Sequence, residues 1–238
     1  MNSRKIIRVI AIFLFVANFF VTIASGNERL YIFYPSTFDY QSMQDKIDST
    51  VPGVAITVFS RFDDFVLKMK AEPPEAIITK PILIQEQFSD YEVMLNGVRN
   101  GKTEDNYVIL TIDSNFTSKS ITNESIIGII DILGRTGMKT FVNRQFSIEP
   151  KIKRVSRIGD LLPFLSLDIA TGIMIESVFI DYFKSTSQLQ FTETPLPESM
   201  TGVIAFAVKK GKQAEKSLSS LKQNKKNICE PFYIQQWK

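Results

Sequence analysis

The stretch SIIGIIDILGRTGMKTF, Ser125 to Phe141, sets an apolar run and a glycine before Gly134-Arg135-Thr136, much as a nucleotide-binding loop would. A phosphate loop needs a glycine, four residues, then Gly-Lys-Ser/Thr, so that backbone N–H groups wrap the phosphates and the lysine reaches the terminal ones. Here Gly128 and Gly134 stand one residue too far apart, Arg135 replaces the lysine, and Asp131 puts a carboxylate inside the would-be cradle. The spacing excludes ATP chemistry of that kind. What remains is a strand, a glycine turn and a helix beginning near Arg135, which is an anion site by geometry. Arg135, Thr136 and Gly137 are therefore expected to touch a small anion.

Residue types exclude other chemistries. The chain has no histidine, which removes Ser-His-Asp and Cys-His nucleophile systems and the common zinc sites together. Its single cysteine, Cys229, permits neither an intramolecular disulfide nor a multi-cysteine metal site. The paired acids Asp63-Asp64 open an amphipathic stretch, where carboxylates favour the positive end of a helix dipole without any catalytic role. No catalytic residue, metal or cofactor is expected.

The elements that must position a site follow from hydrophobic spacing. LYIFYP (Leu30 to Pro35), VAITVF (Val54 to Phe59) and EAIITK (Glu75 to Lys80) read as strands. Between them lie a polar helical stretch to about Ser49 and the helix SRFDDFVLKMKAE, which Ser60 is placed to cap. Pro81 suits the first turn of the next helix. Three β-α units in succession imply a parallel sheet with right-handed crossovers. YEVMLNGVRNGKTEDNYVILTID then supplies two extended runs around a polar turn, Asn100 to Asn106. A second series follows: SIIGIID, KIKRVS, ATGIMIES and LQFTETP as strands, with GRTGMKTFVNRQF, RIGDLLPFLSLD and VFIDYFKSTS as helices. TGVIAFAVKKG (Thr201 to Gly211) is a returning strand, and a last helix, Gln213 to Lys226, closes the first series. Trp237, in YIQQWK, is expected to pack on a lobe.

In open α/β sheets ligands bind at the carboxyl ends of strands, where helix starts present free N–H groups. The tips here are Ser36-Thr37, Ser60-Arg61, Thr79-Lys80, Arg135-Thr136-Gly137, Ser156-Arg157 and Glu176-Ser177. Hydroxyls and cations recur, as a small oxyanion requires. Ser36, Thr37, Ser60, Lys80, Arg135, Thr136, Gly137 and Ser177 are the expected ligand-binding residues. Ser and Thr are also the preferred helix caps whatever the function, and Arg157 with Glu176 is open to reading as a structural ion pair.

The order of first lobe, YVILTID crossover, second α/β lobe, TGVIAFAVKKG return and terminal helix resembles a type II periplasmic solute-binding protein. DILGRTGMKTF and ATGIMIES resemble, in its phosphate- and phosphonate-binding branch, the helix-opening loop of the second lobe and a following strand with Glu or Ser at its tip. The resemblance implies a two-lobed α/β fold with two crossover strands, residues 27–112 and 201–238 in one lobe and 113–200 in the other. It also implies a phosphate- or phosphonate-like ligand held between the lobes for the permease of an ABC transporter or for a sensor kinase. The alternative is an enzyme on the same architecture acting on a small anionic metabolite.

The N-terminus supports that compartment. Arg4, Lys5 and Arg8 precede the apolar VIAIFLFVANFFVTIA, the pattern of a secretory signal peptide spanning 1–26, with cleavage after Gly26 or after Ala24. The alternative is an uncleaved anchor. Of 28 basic and 25 acidic residues, three bases and no acid precede Asn27, so the exported chain carries 25 of each. Nucleic-acid binding, which wants a basic face, loses its support. A periplasmic binding module is the expectation.

Overall fold

Runs of four to six β-branched and aromatic residues, punctuated by polar turns, build two sheets. The computed structural model describes residues 28–146 and 148–238; the expected signal peptide lies outside them. The first sheet has the order β11-β4-β10-β3-β1-β2, from β1 (Glu28–Phe33), β2 (Val54–Phe59), β3 (Ala76–Thr79), β4 (Tyr91–Val98), β10 (Ala205–Lys209) and β11 (Gln236–Trp237). The second has the order β7-β6-β8-β5-β9, from β5 (Glu104–Thr111), β6 (Ile126–Ile130), β7 (Lys151–Val155), β8 (Gly172–Glu176) and β9 (Thr192–Gly202). β1 to β3 are parallel, as are β6 to β8. β4, β5, β9 and β10 run antiparallel to their neighbours and carry the chain between the sheets.

Side-chain alternation along β1 shows how the first sheet is filled. Tyr31 and Phe33 face an apolar cluster that continues into the second lobe through Phe62, Leu133 and Tyr107. Leu30, Ile32 and Tyr34 face the opposite cluster, closed by Phe206, Phe232 and Trp237. Such period-two burial on both faces is what a sheet covered by helices on each side requires. Trp237 stacks edge-on against Phe232 at 5.7 Å.

The helices follow the strands at short intervals. α1 (Tyr40–Asp48) is capped by Asp39, whose carboxylate accepts from the Ser42 N–H at 3.0 Å. Ser60 does not cap α2 (Phe62–Ala71): Arg61 holds the cap position and no side chain bonds the free N–H groups, so the acids Asp63 and Asp64 in the first turn are left to complement the dipole. Pro81 opens α3 (Pro81–Gln87) as its spacing predicts. In the second lobe come α4 (Gly134–Asn143), α5 (Leu162–Ser166) and α6 (Ile180–Thr186).

Two expected elements are broken. TGVIAFAVKKG divides between the end of β9 and β10, because the Val203 carbonyl accepts from Lys80 Nζ at 2.8 Å and a Cβ on Gly202 would strike the Pro81 ring. The last helix divides into α7 (Glu215–Lys222) and α8 (Lys226–Cys229). Asn224 stands between them with φ +51°, the left-handed conformation that ends helices. Its side chain accepts from the Trp237 N–H and ties the final strand down.

Candidate functional site

The carboxyl ends of β1, β3 and β8 meet at the seam between the sheets, and there the apolar interior gives way to charge. Lys80, just past β3, is 0% exposed, and Glu176, the last residue of β8, is 3% exposed. Their Nζ and Oε2 lie 3.0 Å apart. Burial pulls the Lys80 ammonium below its ordinary pKa, and the Glu176 carboxylate pushes it back up. The Tyr34 ring lies 5.9 Å from the same ammonium.

Arg99 is the second cation of this centre. Its guanidinium donates to Asp105 at 2.5 Å, to Glu176 at 3.4 Å, to the Tyr34 hydroxyl at 2.8 Å, and to the Phe232 and Tyr233 carbonyls at 3.1 and 2.8 Å. Burial lowers its pKa, but Tyr34, Glu176 and Asp105 more than offset that and leave it raised. Burial likewise lifts the Tyr34 and Tyr107 hydroxyls well above the usual tyrosine range. Ser177 donates to the other Asp105 oxygen at 2.6 Å. Two cations thus face two carboxylates, and each buried charge has a partner, as a dry interior demands.

Of the expected ligand residues, Lys80 and Ser177 belong to this internal network. Ser36 and Thr37 lie nearby, tied to the C-terminal segment: the Tyr233 hydroxyl accepts from the Thr37 N–H at 2.8 Å and pairs with its hydroxyl at 2.5 Å, while Ser36 Oγ lies 3.3 Å away. Tyr233 has φ +54°, uncommon for a bulky residue, and Arg99 secures its carbonyl. Its ring meets Phe179 of the second lobe at 5.4 Å. Ser60 is half-buried before α2. Arg157 and Glu176 do not form an ion pair, since Lys80 and Arg99 reach Glu176 first.

Arg135 and Thr136 are exposed and line a concavity of about 730 Å³ on the second lobe, with Lys139, Lys151 and Arg154. The start of α4 itself is filled by this chain's own carboxylate. Asp131 accepts from the Gly134 N–H at 2.8 Å and pairs with Arg154. Burial raises the Asp131 pKa, opposed by Arg154 and the Gly134 and Leu133 N–H groups. Gly134 and Gly137 face the first lobe: a Cβ on Gly134 would lie 2.7 Å from the Phe62 ring, and one on Gly137 would lie 3.7 Å from Glu86.

A smaller chamber of about 260 Å³ opens at the rim of the seam. Its first-lobe wall is Ser36 to Tyr40, and its second-lobe wall is Arg157 to Asp160 with Tyr182. The Tyr40 hydroxyl donates across it to the Ser156 carbonyl at 3.5 Å. Further contacts bridge the lobes beside α4, where Gln87 donates to the Leu133 carbonyl at 3.0 Å and Arg144 approaches Glu86 at 3.7 Å.

Sequence reasoning missed Arg99, Asp105, Tyr34 and Tyr233. The only local signal was the charge-rich turn NGVRNGKTEDN, which reads equally well as a solvated connection.

Two sheets joined by two crossings, with strand ends meeting at one seam, define the two-lobed α/β fold of type II periplasmic binding proteins. Solved structures with this fold include the arginine-bound form of truncated ArgBP from T. maritima, 15% identical over 85% of this chain and 93% of that one, with a TM-score of 0.52. They also include AbpA, an amino acid ABC transporter substrate-binding protein from Streptococcus pneumoniae bound to L-arginine, 10% identical over 89% and 90%, TM-score 0.56. XAC2383 from Xanthomonas citri bound to ATP is 11% identical over 89% and 90%, TM-score 0.57. None of these three is described as a phosphate or phosphonate receptor, so that branch of the resemblance is without support from them. No family model matches the chain, and no curated protein does.

Proposed function

We propose that this chain is an exported solute-binding protein, which holds a small polar solute between its lobes and presents it to the permease of an ABC transporter or to a sensor kinase. The observation that carries this reading is the seam. Strand ends of both sheets converge on it, contacts from both lobes bridge it, and a chamber lined by both lobes opens at its rim. Fold neighbours described as substrate-binding proteins of amino acid transporters agree. An enzyme finds little to work with here, because the carboxylates of the centre are each neutralised by a cation. Export through the signal peptide would deliver the protein to the periplasm, where such receptors operate.

A bare anion such as phosphate is no longer the favoured ligand. Lys80 and Arg99, the cations of the centre, are already paired, and the concavity around Arg135 lies on one lobe only. The reading is tested by thermal denaturation of the exported protein against a panel of amino acids, phosphate and other small metabolites. A ligand at 100 times its dissociation constant adds about 2.7 kcal/mol to stability. At least one member is expected to raise the midpoint by several degrees without being consumed, and chemical turnover of a bound compound would replace the receptor by an enzyme.

A further inference from the structure

The outer border of the second sheet is an open edge. β7 stands last in its sheet and pairs in parallel with β6 alone, so among the described residues no strand lies on its other side. The Lys151 N–H donates to the Ser125 carbonyl at 2.9 Å and the Val155 carbonyl accepts from the Asp131 N–H at 2.8 Å, which turns the backbone of Lys151, Lys153 and Val155 toward β6. By alternation, the N–H and C=O groups of Ile152 and Arg154 point outward. Those two residues also line the concavity of about 730 Å³, whose other wall is Arg135, Thr136 and Lys139 of α4. An unpaired strand edge and a helix thus flank one groove.

Charge along the groove is lopsided, with Arg135, Lys139, Lys151 and Arg154 set against Glu149. Among the described residues no hydrogen bond or ion pair occupies the Arg135 side chain. Lys139 and Lys151 pair with Glu149 and Glu124, but all four side chains are more than half exposed, and such screened pairs exchange readily for a better partner. Only Arg154 is committed, to Asp131. A second copy of β7 is a poor occupant, because its own Lys151, Lys153 and Arg154 would lie against these cations, and like charges on adjacent strands repel. We propose that the groove between β7 and α4 takes an extended acidic segment of a partner polypeptide as an added strand. Its main chain bonds the outward groups of Ile152 and Arg154, and its alternate carboxylates face Arg135 and Lys139. The groove lies wholly on the second lobe, so its occupant is separate from any solute held at the seam and does not depend on the receptor reading.

The test is fluorescence anisotropy of the exported protein with short labelled peptides that alternate glutamate with valine, threonine or tyrosine, beside their lysine counterparts and a heparin oligosaccharide. At least one glutamate peptide is expected to bind, more weakly as salt rises, while the lysine counterparts do not. Combining Arg135→Gln with Lys139→Gln should weaken it about tenfold or more, at an unchanged thermal midpoint because both side chains are exposed. Methylating alternate peptide nitrogens should abolish binding in one register and spare it in the other, and the bound peptide should slow hydrogen exchange of the Ile152 and Arg154 amides. If no glutamate peptide binds, or if the double variant binds it as the parent does, the groove is not such a site. Equal binding by both methylated sets would also overturn strand addition and leave a charged patch. A preference for the heparin oligosaccharide over every peptide would replace the polypeptide partner by a sulfated glycan.

Discussion

Lys80 shows how a residue type that advertises ligand binding can be consumed internally. A cation at a strand tip reads as an anion ligand, yet here it is sealed between Glu176, the Val203 carbonyl and the Tyr34 ring. Replacing Lys80 by Met should cost about 3 to 5 kcal/mol, because breaking a buried pair strands the remaining charge. The lower end is expected, since Arg99 stays 3.4 Å from Glu176. Adding Glu176→Gln to that variant should restore part of the loss. A urea-denaturation double-mutant cycle measures both, and a single-mutant cost under about 1 kcal/mol would show an exposed-type pair instead. Lys80 was conspicuous in the sequence as a strand-tip cation. Its partner was not, because Arg157 lies far closer along the chain to Glu176 and is equally charged.

At the scale of elements, the start of α4 carries the most information. Asp131 stood out in the sequence as a carboxylate inside the would-be phosphate cradle, and it does occupy the Gly134 N–H. Gly134 has φ +75° and abuts Phe62 of the other lobe. Gly134→Ala should lose about 1 to 2 kcal/mol from the left-handed backbone alone, and more from the crowding. Phe62→Leu in the same chain should relieve the crowding but not the backbone cost. Chemical denaturation separates the two, and a neutral Gly134→Ala would mean that the turn can re-form at negative φ. The missing Ser60 cap has a plain cause: the chain stays extended through Arg61, one residue further than the hydroxyl can reach back.

For the molecule as a whole, the two crossings between sheets, near residues 99–104 and 202–204, are where a rotation of one lobe against the other would be absorbed. They are linked to each other, since the Val203 N–H donates to the Thr103 carbonyl at 2.8 Å. The central ion network holds the lobes across this hinge. Spin labels at Leu67→Cys and Leu167→Cys would report it, because these side chains are 69% and 68% exposed on opposite lobes while Cys229 is buried. One narrow distance distribution is expected in the parent and a broader one, extended to longer distances, in Lys80→Met. Coincident distributions would show that the apolar contacts alone hold the lobes together.

Hydrophobic periodicity by itself determined the β-α rhythm, the extents of most strands to within a residue or two, and the polar connection between the extended runs that became β4 and β5, though not that these two strands belong to different sheets. Each of these depends on side chains only a few positions apart, whose burial pattern is written directly along the chain. The exclusion of a nucleotide loop had the same local basis, in the glycine spacing and Asp131. Tertiary structure alone decided which charges are spent on one another. Lys80 and Val203 are 123 residues apart, Arg99 and Glu176 are 77, and Thr37 and Tyr233 are 196. No local pattern selects among such partners. The selection is made when two crossings and a returning C-terminal segment bring distant strand ends to one dry seam, where the low dielectric makes the buried cations Lys80 and Arg99 find the carboxylates Glu176 and Asp105.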